Sequence, residues 1–193
     1  MKKTTTRTTV IVLLLVLAVV GYYAYLSNKS RAGREDVSMT AIEKTLSRDL
    51  ERDYPPTPKE VIKYYNEILR CLYNEDNTEE DVRSLGMKAR ELYDEELLEA
   101  NELGGYLVQL QADVDSYKEN GRRITSCNVA SSANTELFQK NGYSFAKIMC
   151  GYNILQNGQN FPSSQMYLLR KDADKKWKIY GWEDVANLRT GDQ

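Results

Sequence analysis

Tyr143 to Gln156 reads YSFAKIMCGYNILQ, and this stretch decides the fold. Ala146, Ile148, Cys150, Tyr152 and Ile154 fall on one side of an extended chain, with Phe145, Met149 and Leu155 on the other. An apolar period of two over this length describes a long β-strand. Asn141-Gly142 precedes it and Asn157-Gly158 follows it, and Asn-Gly supplies the positive φ angles that a tight hairpin turn needs. Working outward, Phe161 to Arg170 is predicted to run back antiparallel, Lys171 to Lys176 to form a charged turn, and Trp177 to Trp182, WKIYGW, to close the sheet. Upstream, Arg122 to Ala130 alternates around Ile124 and Val129 as a further strand.

Before Gly121 the period is 3.6 rather than 2. Thr57-Pro58-Lys59-Glu60 combines an N-cap with a proline at the first helical position, and Val61, Tyr64, Tyr65, Ile68, Leu69 and Leu72 make a broad apolar face behind it. Thr78 followed by Glu79, Glu80 and Asp81 opens a second helix, with Val82, Leu85, Ala89, Leu92 and Tyr93 inward. Gly104-Gly105 is expected to interrupt. A third helix follows with Leu107, Leu110, Val114 and Tyr117 buried and Asn120-Gly121 as its stop. A thinner stripe, Ile42, Leu46 and Leu50, predicts a charged helix from Thr40 until Asp53-Tyr54-Pro55-Pro56 breaks it. Helices first and an antiparallel meander second is an α+β arrangement.

The N-terminal end is different in kind. Val10 to Leu26, VIVLLLVLAVVGYYAYL, is unbroken apolar sequence, at the short end of what spans a bilayer as a helix. It exceeds a usual signal-peptide core, and it ends in Gly21-Tyr22-Tyr23-Ala24-Tyr25 rather than a small-x-small cleavage site. Tyrosines at that depth fit an interfacial aromatic belt. The expected division is therefore a basic leader at 1–9, a transmembrane helix at 10–26, a spacer with a short charged helix at 27–54, an α+β domain at 55–185 and a tail at 186–193. Lys2, Lys3 and Arg7 balance Lys29, Arg31 and Arg34 across the span. A short N-terminal tail and a large C-terminal domain favour a cell-membrane, single-pass protein with the domain outside the cytoplasm.

Composition excludes several functions. The formal net charge is −2, and Lys2, Lys3 and Arg7 precede the span, so the body is more acidic still. Nucleic-acid binding needs the opposite, a basic stripe. Histidine is absent, which removes Ser-His-Asp and Cys-His nucleophile arrangements and imidazole metal sites. Cys71, Cys127 and Cys150 are odd in number and form no CxxC pair, so no zinc site, dithiol centre or disulfide framework is expected. An uninterrupted hairpin on Asn141-Gly142 would set Cys150 opposite Ala133 and leave Cys127 roughly 20 Å off. A bridge needs Cα atoms within about 7 Å. A break at Ser131 to Asn134 would shorten that gap.

From Pro55 to Trp182 the chain resembles the nuclear transport factor 2-like (SnoaL-like) α+β cone. The resemblance is carried by three helices led by PTPKEVIKYYNEIL and by a meander ending in DADKKWKIYGW. The whole chain is also similar to small bacterial proteins with one N-terminal membrane span and a YPPTPKEV segment, and in layout to conjugation scaffolds of the VirB-eight type. The resemblance implies helices on a strongly bent sheet with a pocket at the open end. Enzymes of that superfamily act through acidic or histidine side chains in the pocket, and no motif carries those roles onto a position here.

Tyr64 and Tyr65 on the first cone helix and Tyr152 on the long strand are the candidate pocket residues. Asp113 and Asp115 are the candidate acids if buried, and Cys71 reads as packing. Trp177 and Trp182 are five apart, so strand parity puts them on opposite faces. No catalytic residue, metal ligand or cofactor is expected. The sequence reads as a membrane-anchored, extracytoplasmic binding or assembly module without catalytic activity, its partners being the membrane and a protein at the membrane. The alternatives are a small-molecule enzyme using a pocket Asp or Tyr, and a passive structural spacer.

Overall fold

The computed structural model describes residues 39–185. The leader, the span expected at 10–26, the first part of the spacer and the tail at 186–193 lie outside them. Among the described residues no helix is long and apolar enough to cross a membrane.

Helix α1, Ala41–Leu46, opens on the Thr40–Glu43 capping box and is shorter than its stripe predicts. Asp49 ends the pattern, because its Oδ1 accepts the backbone N–H groups of Glu51 and Arg52 and closes a local turn. Leu50 is nevertheless buried in the main core. The Tyr54 hydroxyl donates to the Trp177 carbonyl at 2.8 Å, and the Tyr64 hydroxyl donates to the Thr45 carbonyl at 2.7 Å. The stretch expected as a spacer up to Tyr54 thus packs on the body from Thr40 onward.

Helix α2, Pro58–Asn74, starts as its caps dictate, with Thr57 accepting from the Glu60 N–H. It buries Val61, Ile62, Tyr64, Tyr65, Ile68 and Leu72. Helix α3, Glu79–Arg90, has a Thr78–Asp81 capping box. After it, Leu92 closes a turn, Tyr93 forms an isolated parallel bridge to Ile179, and a short helix follows that periodicity did not reveal, α4, Glu95–Ala100, capped by Asp94. Helix α5 covers Leu103–Glu119. Gly104 and Gly105 therefore do not interrupt it. They occupy its first turn, where the N–H groups have no intrahelical partner in any case.

Helices α3 and α5 meet at Gly86. A Cβ there would lie 2.6 Å from Leu110 Cδ2 and 3.3 Å from Leu107 Cδ2. Gly86→Ala gains about 1 kcal/mol of helix propensity and loses about 1–3 kcal/mol to overpacking. The expected result is a net destabilisation of about 1 kcal/mol, with Gly86→Val worse. Thermal denaturation followed by circular dichroism checks this, and a higher Tm for the alanine variant would contradict it.

The sheet comprises β1, Arg122–Val129; β2, Glu136–Lys140; β3, Tyr143–Gln156; β4, Gln159–Lys171; and β5, Trp177–Asp184. All pairings are antiparallel, in the order β1-β3-β4-β5, and β2 also pairs with β3, along its first half. Asn141 and Gly142 have φ of 52° and 82°, and Asn157 and Gly158 have φ of 50° and 78°, the geometry of type I′ hairpin turns. The helices cover one face of this sheet, so the fold is α+β with helices packed on an antiparallel sheet.

Two irregularities revise the registers read from the sequence. A 3₁₀ turn at Ser132–Asn134 separates β1 from β2, so Val129, not Ala133, faces Cys150, and Cys127 faces Tyr152. The two cysteines become diagonal neighbours on one face, about 7–8 Å apart. All three thiols are free, and burial pushes Cys127 up to about 11. The second irregularity is a bulge in β5. Leu168 faces Gly181 while Leu169 faces Ile179, leaving Tyr180 unpaired between them. The extra residue shifts the parity, so Trp182, opposite the buried Tyr167, lies on the same helix-covered face as Ile179 and Trp177. The expectation of opposite faces fails at this bulge.

Candidate functional site

Helices α2 and α5 and strands β3 to β5 enclose a cleft of two adjoining lobes, of about 400 Å³ and about 230 Å³. Tyr65, Leu69, Tyr73, Asp113 and Trp182 line both lobes. The spacing explains the convergence. Tyr65, Leu69 and Tyr73 are four apart on α2, as are Gln109, Asp113 and Tyr117 on α5, and such rows share a helix face. On the sheet side Tyr152 of β3, Ser163, Gln165 and Tyr167 of β4, and Trp182 and Asp184 of β5 alternate onto the same face.

Trp182 stands at the mouth, 43% exposed, with its ring 6.1 Å from the rings of Tyr65, Tyr93 and Tyr167. Below it the phenols are linked by hydrogen bonds. The Tyr65 and Tyr93 hydroxyls meet at 3.2 Å. Tyr152 donates to Asn66 Oδ1 at 2.8 Å, its hydroxyl lies 2.7 Å from that of Tyr167, and Tyr167 donates to Gln165 Oε1 at 2.7 Å. Gln165 Nε2 then donates to Asp184 Oδ1. Two phenolic protons serve three of these contacts, so a proton between the two tyrosines comes from one of the outer bonds. A polar chain runs from the buried Asn66 to the exposed rim.

Desolvation raises the Tyr65, Tyr73, Tyr93, Tyr152 and Tyr167 hydroxyls well above the ordinary phenol value. These groups stay protonated and act as neutral donors, not bases. The carboxylates lie elsewhere in the cleft: Asp113 and Asp184 are both exposed at its rim, and Asp113 Oδ1 accepts from Gln109 Nε2.

Of the candidates from the sequence, Tyr65, Tyr152 and Asp113 line the cleft. Tyr64 does not. One residue along α2 it faces α1 instead, bonded to Thr45 and covered by Arg48 at 4.8 Å. Asp115 pairs with Gln111 on the exposed side of α5, and Cys71 packs with Thr45 at 3.3 Å. Trp177 is 8% exposed at the far end of β5. Tyr73, Tyr93, Tyr106, Tyr117 and Tyr167 were not singled out, although composition carried a signal. Fourteen tyrosines against three phenylalanines is a preference for ring hydroxyls that simple core packing does not require.

A second hollow, of about 440 Å³, opens on the other face beside Phe138, Tyr143, Phe145 and Tyr180. Its principal cation is committed internally. Arg170 lies between the Tyr143 and Tyr180 rings at 4.8 and 5.0 Å and binds Asp94 and Glu96. Asp94, 3% exposed, is the one buried carboxylate among the described residues, and it is spent on this clamp. No group of three His, Cys, Asp or Glu side chains among the described residues is placed to hold a metal ion.

No protein of curated function matches the sequence. A family model does match, over residues 1–182, from the leader through the apolar run and the helices to Trp182 at the mouth of the cleft, and the chain accordingly belongs to the family described as a domain of unknown function (DUF6715).

Proposed function

We propose that this protein is a single-pass membrane protein whose body, of nuclear transport factor 2-like cone type, is displayed outside the cytoplasm as a binding module without catalytic activity. The observation that carries the reading is the tyrosine-lined cleft itself. It is the size of a small-molecule site, aromatic on its walls, polar at a few fixed points and open at Trp182. The neutral phenols inside it and the exposed position of Asp113 and Asp184 weigh against the alternative of an enzyme with a pocket Asp or Tyr base, which needs a desolvated carboxylate or an easily ionised hydroxyl. A passive spacer has no use for a cleft of this kind. The apolar run at 10–26 supports the membrane placement, and helices ahead of a long-stranded antiparallel sheet support the cone assignment.

Protease added to intact cells tests the placement. The body is expected to be digested while a cytoplasmic marker survives, and protection until lysis would reverse the orientation. The binding reading is tested by the response of the Trp182 indole N–H resonance to small cationic, neutral and anionic probes, with Trp177 as internal control. Silence of Trp182 towards all three classes would remove the cleft as a small-molecule site.

A further inference from the structure

We infer that the cleft recognises an organic cation, an alkylammonium group carried on an apolar body; this rests on the cleft being a binding site. Among the described residues, those lining its larger lobe include five tyrosines and one tryptophan, two aspartates, and no lysine or arginine. The smaller lobe likewise has no basic lining residue among those described and shares Asp113. Aromatic faces carry the negative side of a quadrupole, so a ring of them attracts a cation whose hydration shell has been shed. The rim adds full negative charge. Each rim carboxylate has one oxygen engaged by a glutamine amide, Asp113 with Gln109 and Asp184 with Gln165, which orients it and leaves acceptor capacity for a ligand. An anion would meet two carboxylates, while the described cations Arg90 and Arg122 lie against the Tyr106 and Tyr117 rings and not among the lining residues.

The surrounding rings already behave this way towards the chain's own cations. Arg90 lies 5.1 Å over Tyr106 and Arg122 lies 5.9 Å over Tyr117. Tyr65, Tyr73, Tyr152, Tyr167 and Trp182 have no such cation against them among the described residues and converge on the same space. A compact onium group fits between them with its methyl groups on the ring faces. A primary ammonium would instead spend its donors on Asp113 and Asp184. Both are cases of one chemistry.

The test uses the full chain in a non-ionic detergent, with choline, its neutral carbon isostere (the quaternary nitrogen replaced by carbon) and the pivalate anion as probes. The readouts are the two tryptophan indole N–H resonances, assigned with Trp182→Phe. Choline is expected to move the Trp182 signal saturably and leave Trp177 in place. The isostere should bind about tenfold more weakly or worse, the factor that about 1.4 kcal/mol of cation–π attraction supplies. The double variant Asp113→Asn with Asp184→Asn should weaken choline by about tenfold, as expected for two lost charges at short range in partly screened surroundings, and leave the isostere unchanged. Both aspartates are exposed, so that variant should fold, and an unaltered Trp177 signal verifies it. Equal or tighter binding of the isostere or of pivalate overturns the cation proposal and leaves the cleft a binding site. Failure of every probe to move Trp182 overturns both.

Discussion

Above pH 10 the protein is expected to unfold over a narrow interval. Tyr65, Tyr93, Tyr152 and Tyr167 are all buried, and desolvation raises each hydroxyl above its ordinary value of 10.0. The folded state keeps these protons where the unfolded chain releases them. Stability contributed by a raised pKa is fully present below the unfolded value and is lost as pH climbs towards the folded one. Each such group removes about 1.4 kcal/mol per pH unit above 10. Four together remove roughly 5–6 kcal/mol per unit, and a domain holds only about 5–15 kcal/mol in all. About one to three pH units should therefore suffice. Tyrosinate absorbance and circular dichroism, followed in one titration, should change together. Ionisation of these four phenols within an intact fold would contradict their burial. Tyr152→Phe should broaden the tolerated range only if Asn66 finds another donor, since its Oδ1 is served by that hydroxyl.

Arg170→Ala is the second large effect, expected to cost about 3–5 kcal/mol because it leaves a buried carboxylate uncompensated. Asp94 is 3% exposed and has Arg170 Nε as a donor at 2.9 Å, with a further bond from Nη2. The substitution also removes the guanidinium from between the Tyr143 and Tyr180 rings and frees Glu96, which Tyr180 and Arg170 together hold below the ordinary carboxylate range. Denaturant unfolding of Arg170→Ala, Asp94→Asn and the double variant measures the coupling. A double variant markedly more stable than Arg170→Ala is expected, because the unpaired charge is then gone. A loss for Arg170→Ala below about 1 kcal/mol would be that of a surface pair and would sink the argument.

The sheet was legible because its signals are local. Asn141-Gly142 and Asn157-Gly158 set both ends of β3, and the alternation of Ala146, Ile148, Cys150 and Tyr152 marked its covered face. The start of α2 was legible for the same reason, since Thr57 and Pro58 act on adjacent backbone groups. Registers were less so. Parity arguments assume an unbroken ladder, and the extra residue at Tyr180 and the 3₁₀ turn at Ser132–Asn134 each break one. Gly104 and Gly105 could pass for a break because glycine is a poor helix former, yet they sit inside the first turn of α5. Within the site, Tyr65 and Tyr152 could be named from their stripes, but Tyr64 and Tyr65 look alike in sequence. A rotation of about 100° between neighbours sends one to α1 and the other to the cleft. Tyr73 and Tyr117 lay on the same rows as Tyr65 and Asp113 and could have been added by that rule.

The bridge that Leu92 to Asp94 makes with Ile179 bears on self-association. Ile179 N–H donates to the Leu92 carbonyl at 2.8 Å, and Asp94 N–H donates to the Ile179 carbonyl at 2.9 Å. A strand from another molecule therefore cannot zip along the outer side of β5 without first displacing this plug. Exposed strand edges are the usual template for aggregation. Because Arg170 holds Asp94 in place, the ion pair that stabilises the fold also guards its solubility, and loosening it would open a route to intermolecular sheets before the body itself unfolds.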